Sequence, residues 1–283
     1  MDPAILQFLA APFAASLILT GIHTYLGVHV VERGVIFVDL SLAQIAALGA
    51  TVAMLVPFSG GDPHGPGVYW FSLGFTFIGA AVFSMVHHGQ KARIPQEAVI
   101  GISYAVASAA SILAMSQSTA QAEHLKDMLV GNILAVSWPE VAKTAALYSA
   151  VGLFHYIYRR RFLLISMDPD RARAEGVHLR LWDFVFYLSF GFVVTSSVAI
   201  AGVLLVFCYL IVPSVAAMMY ADRIGVRLAI GWVMGTVVSI LGMYFSVFFD
   251  LPTGATIVCT FGLVLILMAA AKPLVARASR AHG

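Results

Sequence analysis

The segment GVIFVDLSLAQIAALG, residues 34–49, decides the fold class, because it places Asp39 and Gln44 inside a run that is otherwise almost entirely apolar. The rest of the 283-residue chain has the same character: 60% of its residues are hydrophobic, 11% are charged, and its mean hydropathy is +0.92. Water-soluble domains rarely reach such values. The sequence therefore predicts an all-α integral membrane protein, a polytopic bundle in which residues 1–283 form a single transmembrane domain.

Nine apolar segments have the length of a membrane-spanning helix, which needs about 20 residues to cross a hydrocarbon core of about 30 Å. They lie near residues 8–30, 34–56, 67–87, 95–116, 139–158, 182–199, 201–220, 228–248 and 254–272. The division within residues 182–220 depends on SSVAIAG, which is the only stretch there that could turn the chain. Residues 122–138 are mildly amphipathic and fit a short surface helix or a re-entrant segment.

The basic residues predict which end of each span faces the cytoplasm, since Lys and Arg accumulate in short cytoplasmic loops. A periplasmic N-terminus and a cytoplasmic C-terminus place 14 of the 16 Lys and Arg residues in inner loops, and only Lys126 and Lys143 fall outside. This asymmetry supports nine crossings. It also explains the basic pI of the chain without a nucleic-acid partner.

Four polar residues in or at the edge of the predicted spans are candidate site residues. His23 lies in the first span, Asp39 and Gln44 in the second, and Glu97 just inside the fourth. An ionisable residue at a helix centre costs about 2.5–3.5 kcal/mol on insertion scales, so it usually faces a partner or water. Counted from Gly34 at about 1.5 Å per residue, Asp39 lies about 8 Å and Gln44 about 15 Å from the inner face, with His23 between them. The three side chains are predicted to line one cavity; hydrogen bonding between neighbouring helices is the alternative.

The chain lacks the motif of an ATP-binding P-loop, GxxxxGK[ST], and it also lacks HExxH and GxSxG. It is therefore predicted to be neither an ATPase nor a hydrolase of these types. In SMDPDRARAEGV, Asp168 is a natural helix N-cap, Pro169 suits the first helical position, and Gly176 can end the helix in a left-handed conformation. This short charged helix, in a cytoplasmic loop at 159–181, is either a capped linker or a docking element for a soluble partner.

Six segments, in order and spread over nearly the whole chain, carry a resemblance to a known family. They are GVHVVERGVIFVDLSLAQIAALGA, EAVIGISYA, LVGNILAVSWPE, DPDRARAEGV, AGVLLVFCYLIVPSVAA and FFDLPTGATIV. Together they resemble the permease subunits of the bacterial ABC importers for zinc, manganese and iron.

The resemblance implies a homodimer of permeases, surrounded by lipid in the bacterial inner membrane. It also implies two copies of a separate cytoplasmic ATPase that hydrolyses ATP, and a periplasmic metal-binding protein that delivers the ion. The cargo would be a divalent metal ion (zinc, manganese or iron), and no cofactor would be bound permanently. In such importers the segment that matches DPDRARAEGV docks on the ATPase, which assigns ATPase coupling to Asp168, Pro169, Asp170, Ala174 and Gly176.

Three further residues are assigned by the resemblance to the transport pathway or its gates. Glu97 matches an acidic residue that precedes Gly-Ile in the family, and it either gates the inner mouth or caps the fourth span. Asn132 stands where the family has the aspartate of Phe-Gly-Asp-Leu-Leu. Asp250, beside LPTG, either receives the ion or caps the turn there.

The resemblance fails at the usual metal pair of the family, an aspartate and a histidine that stand four residues apart, about 40° around one helix. Here Gln44 occupies the histidine position, Leu40 falls at the aspartate position, and Asp39 lies about 140° from Gln44. A glutamine carbonyl is a poor zinc ligand. Three explanations stay open: His23 supplies the nitrogen beside Asp39, the ion passes with little coordination, or the cargo is neither zinc nor manganese.

Rival functions are an ABC permease for a metal chelate or other small cargo, an ion-coupled secondary transporter, and a membrane scaffold. A secondary transporter would need neither a docking helix nor an ATPase, and a scaffold would not need acids within its spans. A GxxxG pair, Gly231 and Gly235, predicts a close helix contact, either within one subunit or between two.

Overall fold

The computed structural model describes residues 3–56, 66–85, 95–115 and 133–281. In these ranges the chain forms eleven α-helices and a single 3₁₀ turn at Ile133–Ala135, and no strand. The helices are α1 (Pro3–Glu32), α2 (Val38–Leu55), α3 (Pro66–Met85), α4 (Gln96–Met115), α5 (Trp138–Ile157), α6 (Arg159–Met167), α7 (Pro169–Ala174), α8 (Leu179–Ala201), α9 (Val203–Met218), α10 (Ile224–Phe249) and α11 (Thr253–Ala281). The all-α prediction is confirmed.

Seven helices in the described part of the chain are long and apolar enough to cross a membrane; they are α1, α2, α3, α4, α8, α10 and α11. The other two predicted spans overlap α5 and α9. Helix α5 carries Glu140 and Lys143 near its start, and α9 is apolar but shorter than the seven. A multi-pass membrane protein is therefore supported, while nine crossings and the orientation of the termini stay predictions.

Two predicted boundaries are resolved by local backbone geometry. Helices α8 and α9 are separated by Gly202, whose φ of 77° ends α8. Gly34, with φ of 66°, turns the chain after α1, so that α2 begins at Val38 rather than at the predicted residue 34. Glycine adopts such positive φ values without steric cost. The start of α2 matters for the site, because Asp39 lies in its first turn.

The chain divides into two compact units. The first contains Met1–Val31, Asn132–Ala145 and Leu204–Gly283, and the second contains Glu32–Gly131 and Ala146–Val203. Each unit is assembled from segments that are distant in sequence. Of the amphipathic segment predicted at 122–138, residues 122–132 lie outside the described residues, and the rest contains the 3₁₀ turn Ile133–Ala135.

The first unit contains the GxxxG pair, and there the close contact lies within one chain. A Cβ on Gly231 would collide with the Thr24 methyl group, and one on Gly235 would lie 2.5 Å from the Thr20 methyl carbon. The indole N–H of Trp232 donates to the Gly21 carbonyl at 3.1 Å. The question of one subunit or two is thus answered for this pair: Gly231 and Gly235 let α10 approach α1 of the same chain.

In the second unit, α2 packs against α3, α4 and α8. Gly49 allows α2 to approach the backbone of α3 closely, since a Cβ there would lie 2.7 Å from the Phe71 carbonyl oxygen. Gly79 on α3 gives room to Leu42 and Ile45 of α2 in the same way. A helix that is apolar on nearly all sides is stable when other helices surround it. The packing therefore encloses the helix that carries Asp39 and Gln44.

Many hydroxyl groups in the described helices bond to a carbonyl of their own helix. Thr51, Thr76 and Ser111 donate to the carbonyl four residues earlier at 2.8–2.9 Å. This pairing is common where no water can hydrogen-bond the side chain. It sets the background against which an unpaired buried carboxylate is unusual.

Candidate functional site

Asp39 is the most unusual polar residue of the described chain. Its side chain is fully buried in the first turn of α2, and neither carboxylate oxygen has a hydrogen-bond partner among the residues that the structure describes. A buried charge without a partner is costly. The positive end of the α2 dipole lowers that cost, but no described group donates a hydrogen bond to the carboxylate. The role of Asp39 as an ion ligand stays a prediction.

Glu97 lies at the same end of α2, although it belongs to the first turn of α4. Its Oε1 accepts a hydrogen bond from the backbone N–H of Phe37, the N-cap residue of α2, at 3.2 Å. Its other oxygen, Oε2, is buried and has no partner in the described residues. Glu97 therefore also bonds to the N-cap residue of α2, a contact that the sequence did not predict, while its role as a gate of the inner mouth stays a prediction.

Ser41 adds a further oxygen to this end of α2, since its buried hydroxyl also lacks a partner among the described residues. Four buried oxygen atoms in or beside the first turn of α2 therefore have no hydrogen-bond partner among the described residues: both of Asp39, Oε2 of Glu97 and Oγ of Ser41. All four are hard donors of the kind that manganese and other oxygen-preferring cations bind. Asp39 and Ser41 are two residues apart on α2 and so point to different sides of the helix. We refer to these four atoms as the α2 oxygens.

Gln44 is buried further along the same helix. Because α2 is continuous, Gln44 lies about 8 Å from Asp39 along the axis and about 140° around it. The offset derived from the sequence therefore holds in the structure. Asp39 and Gln44 do not share one helix face.

His23 belongs to the first unit, whereas Asp39 and Gln44 belong to the second. Its ring is buried in α1, and Nδ1 lies 2.9 Å from the Leu19 carbonyl oxygen. Since a carbonyl only accepts, Nδ1 is the nitrogen that carries the hydrogen in this contact. Coordination of one ion by His23 together with Asp39 stays a prediction.

The structure places Asp250 at the C-terminal end of α10, where it is exposed and adopts a left-handed conformation with φ of 54°. Its N–H and that of Leu251 both bond to the Ser246 carbonyl, the latter at 2.9 Å, as at many helix ends. Asp250 thus caps this turn, and its role in the pathway stays a prediction. Asn132 lies outside the described residues. Within the described ranges, no group of three or more His, Cys, Asp or Glu side chains could hold a metal ion.

The predicted cytoplasmic helix is present as α7. The Asp168 carboxylate accepts a hydrogen bond from the Arg171 N–H at 3.0 Å, Pro169 begins the helix, and Gly176 follows it with φ of 75°. Asp170 pairs with Arg173 at 2.7 Å, and Ala174, the last helical residue, is exposed. The prediction of a capped, charged helix is confirmed.

A groove lies beside α7 and has a volume of about 360 Å³. Its lining combines apolar and charged side chains: Leu163, Leu164, Met167, Arg160, Asp168, Arg171 and Glu175. Met167 is 44% exposed.

Sequence reasoning missed a buried ion pair in the second unit. Arg33 was counted only as an inner-loop charge, but its Nη1 lies 2.6 Å from Oδ1 of Asp183, and both side chains are 2% exposed. Its Nε donates to the Ser166 hydroxyl at 2.8 Å, and its guanidinium lies 4.1 Å from the ring centre of Phe186. The available signal was Asp183 itself, an acidic residue just inside a predicted span.

Comparison with known proteins agrees with these features. A model of the ABC 3 transport family matches residues 5–272. The manganese transport system membrane protein MntC of Halalkalibacterium halodurans is 25% identical over 258 residues, which cover 89% of this chain and 83% of that protein. The protein of the same name from Listeria innocua is 29% identical over 211 residues, which cover 71% and 75%.

The fold also matches a solved structure, PsaBC from Streptococcus pneumoniae in complex with Fab. The TM-score is 0.76 at 21% identity, and the match covers 93% of this chain and 92% of that chain. This likeness shows a shared fold, whereas the family match extends over nearly all of the sequence. The chain therefore belongs to the ABC 3 transport family.

Proposed function

We propose that this chain is the permease subunit of an ABC importer that carries Mn²⁺ from the periplasm to the cytoplasm across the bacterial inner membrane. Membership in the ABC 3 transport family supports the class, and the names of two similar proteins, both manganese transport system membrane proteins, support the cargo. Residues 1–283 act as one permease domain, and residues 159–181 form its coupling loop.

The unpartnered Asp39 carboxylate carries this proposal. A passing cation would supply the positive charge that no described residue provides next to Asp39, so the cost of burying this carboxylate is offset when the ion is present. The α2 oxygens include carboxylate and hydroxyl oxygens, and Gln44 offers an amide oxygen further along α2. Oxygen ligands suit Mn²⁺, whereas zinc sites usually contain histidine or cysteine. The missing histidine thus favours manganese over zinc, with iron as the nearest competitor.

The energy for transport comes from a separate ATPase that docks on α7 and its neighbouring groove. Two permease copies form a homodimer, and a periplasmic binding protein delivers the ion. The exposed charges of α7 and the exposed Met167 support a protein partner at this surface. Movement of docked ATPases would tilt the permease helices and change the side to which the path opens.

Docking is tested by copurification of the ATPase with permease variants. Ala174→Lys adds one positive charge to the exposed end of α7, and it should reduce the recovered ATPase because the charge and bulk disturb the interface. Asp222→Asn also raises the charge by one, at an exposed residue outside α7, and serves as the control. Equal ATPase recovery with both variants would contradict docking on α7.

The cargo is tested by the metal content of cells with and without the gene, grown under scarcity of manganese, iron or zinc in turn. We expect the deletion to lower manganese only, under manganese scarcity. A deletion strain that lost only iron or only zinc would identify that metal as the cargo instead. A deletion strain with normal content of all three metals would reject metal import. Transport by the isolated chain under an ion gradient would instead indicate a secondary transporter.

A further inference from the structure

One buried guanidinium connects two parts of the second unit that are far apart in sequence. Arg33 precedes the turn into α2, and it bonds both to Asp183 on α8 and to Ser166 on α6. The side chains of Arg33 and Asp183 are each 2% exposed, and Ser166 is buried. The planar guanidinium presents its donors in a fixed fork, so these contacts hold α6 and α8 in a defined position relative to Arg33.

Ser166 lies near the end of α6, and α7 follows α6 after one residue. Asp168 ends α6 through its N–H, which bonds to the Leu164 carbonyl at 2.9 Å, and the same residue caps α7 with its carboxylate. Ala172 of α7 is fully buried, and the Val177 N–H bonds to its carbonyl at 2.9 Å. Helices α6 and α7 therefore share one junction residue, and they should move together.

Arg33 is also close in sequence to Asp39, since only the turn at Gly34 separates it from the start of α2. The turn after Gly34 is closed by a hydrogen bond from the Val38 N–H to the Val35 carbonyl at 3.1 Å. Val35 is buried, and the N-cap residue of α2 is held by Glu97. A short turn that is closed by a hydrogen bond is stiff, so a shift of Arg33 should also shift the first turn of α2.

We propose that Arg33 is a positioning residue of the transport cycle, which transmits movement of α7 to Asp39 through its bonds to Ser166 and Asp183. The inference rests on the proposed function, since it requires an ATPase that moves α7 and an ion that binds Asp39. The coupling would be carried by the buried hydrogen bonds of Arg33, which have a fixed geometry and would break or move only when a whole helix moves.

The test is the number of Mn²⁺ ions moved per ATP hydrolysed by the permease–ATPase complex in proteoliposomes, with the binding protein present. Ser166→Ala removes the bond toward α7 and keeps the Arg33–Asp183 pair. We expect the complex to assemble and hydrolyse ATP, while the ratio of Mn²⁺ to ATP falls about threefold or more. Ser189→Ala is the matched control, since Ser189 is another buried serine of the second unit, bonded to His155 at 2.8 Å.

A second variant keeps the test decisive if Ser166→Ala does not assemble. Arg33→Lys retains the charge beside Asp183 but lacks the fork that reaches Ser166 as well, so it should lower the same ratio. An unchanged ratio in Arg33→Lys, or in an assembled Ser166→Ala complex, would overturn the inference. A purely structural role would lower assembly or thermal stability and leave the ratio unchanged in the complexes that form. Absence of Mn²⁺ transport by the wild-type complex would instead reject the proposed function.

Discussion

Asp39 and Asp183 are both buried aspartates of the second unit, but only Asp183 has a partner. Asp183 lies 2.6 Å from the Arg33 guanidinium. Asp39 is fully buried, and neither of its oxygens is hydrogen-bonded by a described residue. The difference separates two uses of a charge in an apolar protein. A paired charge can fix the position of helices, whereas an unpaired buried charge lowers stability, so we expect it to have a role in binding an ion.

The largest expected effect is on transport, from Asp39→Asn. The variant keeps the size of the side chain and removes the charge, so uptake of Mn²⁺ by cells should fall to the background of a deletion strain. The free energy of unfolding in detergent should stay the same or rise, because an unpaired buried charge is lost. Asp222→Asn changes an exposed carboxylate 4.0 Å from the Arg227 guanidinium, so it should leave uptake unchanged and lower the free energy of unfolding only slightly. Normal manganese uptake by Asp39→Asn would remove Asp39 from the pathway.

Asp183→Asn should show the opposite pattern, with its main effect on stability. The variant leaves the Arg33 charge buried without its counterion, which typically costs about 3–5 kcal/mol of unfolding free energy. Denaturant unfolding in detergent measures this loss. Adding Arg33→Gln should recover part of it, since the uncompensated charge is then gone. If Asp183→Asn were as stable as wild type, the comparison between the two aspartates would lose its basis.

Glu97→Gln should fall between the two aspartate variants, because one oxygen of Glu97 is bonded and the other is not. The neutral amide can still accept from the Phe37 N–H, so the loss of unfolding free energy should be only about 0.5–1 kcal/mol. Uptake should fall, but less than in Asp39→Asn, since one of two carboxylates remains. Thermal unfolding and uptake of radioactive Mn²⁺ measure the two effects. Unchanged uptake would confine Glu97 to capping α2.

His23→Ala should have the smallest effect on transport. If the ion passes the membrane with little coordination and Asp39 supplies the main charge, loss of the imidazole leaves manganese uptake unchanged. The same uptake assay decides this point. A loss as large as that of Asp39→Asn would instead assign a nitrogen ligand to His23 and favour the first of the three explanations for the missing histidine.

Local sequence patterns predicted the elements that depend on neighbouring residues. The apolar segments predicted the long helices, because length and hydropathy are properties of each segment alone. The caps of α7 were predicted for the same reason, since Asp168, Pro169 and Gly176 act within one or two turns. The position of Asp39 near one end of a span also followed from its apolar surroundings in the chain, whereas its full burial was not predicted.

Long-range partners could not be read from the sequence. Arg33 and Asp183 are 150 residues apart, and Glu97 is 60 residues from Phe37, whose N–H donates to it. No local sequence pattern can join either pair. The start of α2 was placed too early because the apolar run continues through the turn at Gly34, and hydropathy does not detect a change in backbone direction. The partner of the GxxxG pair was open for a similar reason, since spacing shows a close contact but not the opposite helix.

The central claim is that Asp39 binds manganese in the transport path. Its most direct test is ATP-dependent Mn²⁺ accumulation in proteoliposomes that contain the permease, its ATPase and the binding protein, with wild-type permease or with Asp39→Asn. We expect wild type to accumulate Mn²⁺, and Asp39→Asn to hydrolyse ATP in an intact complex without accumulating the ion. Equal accumulation by both proteins would contradict the claim.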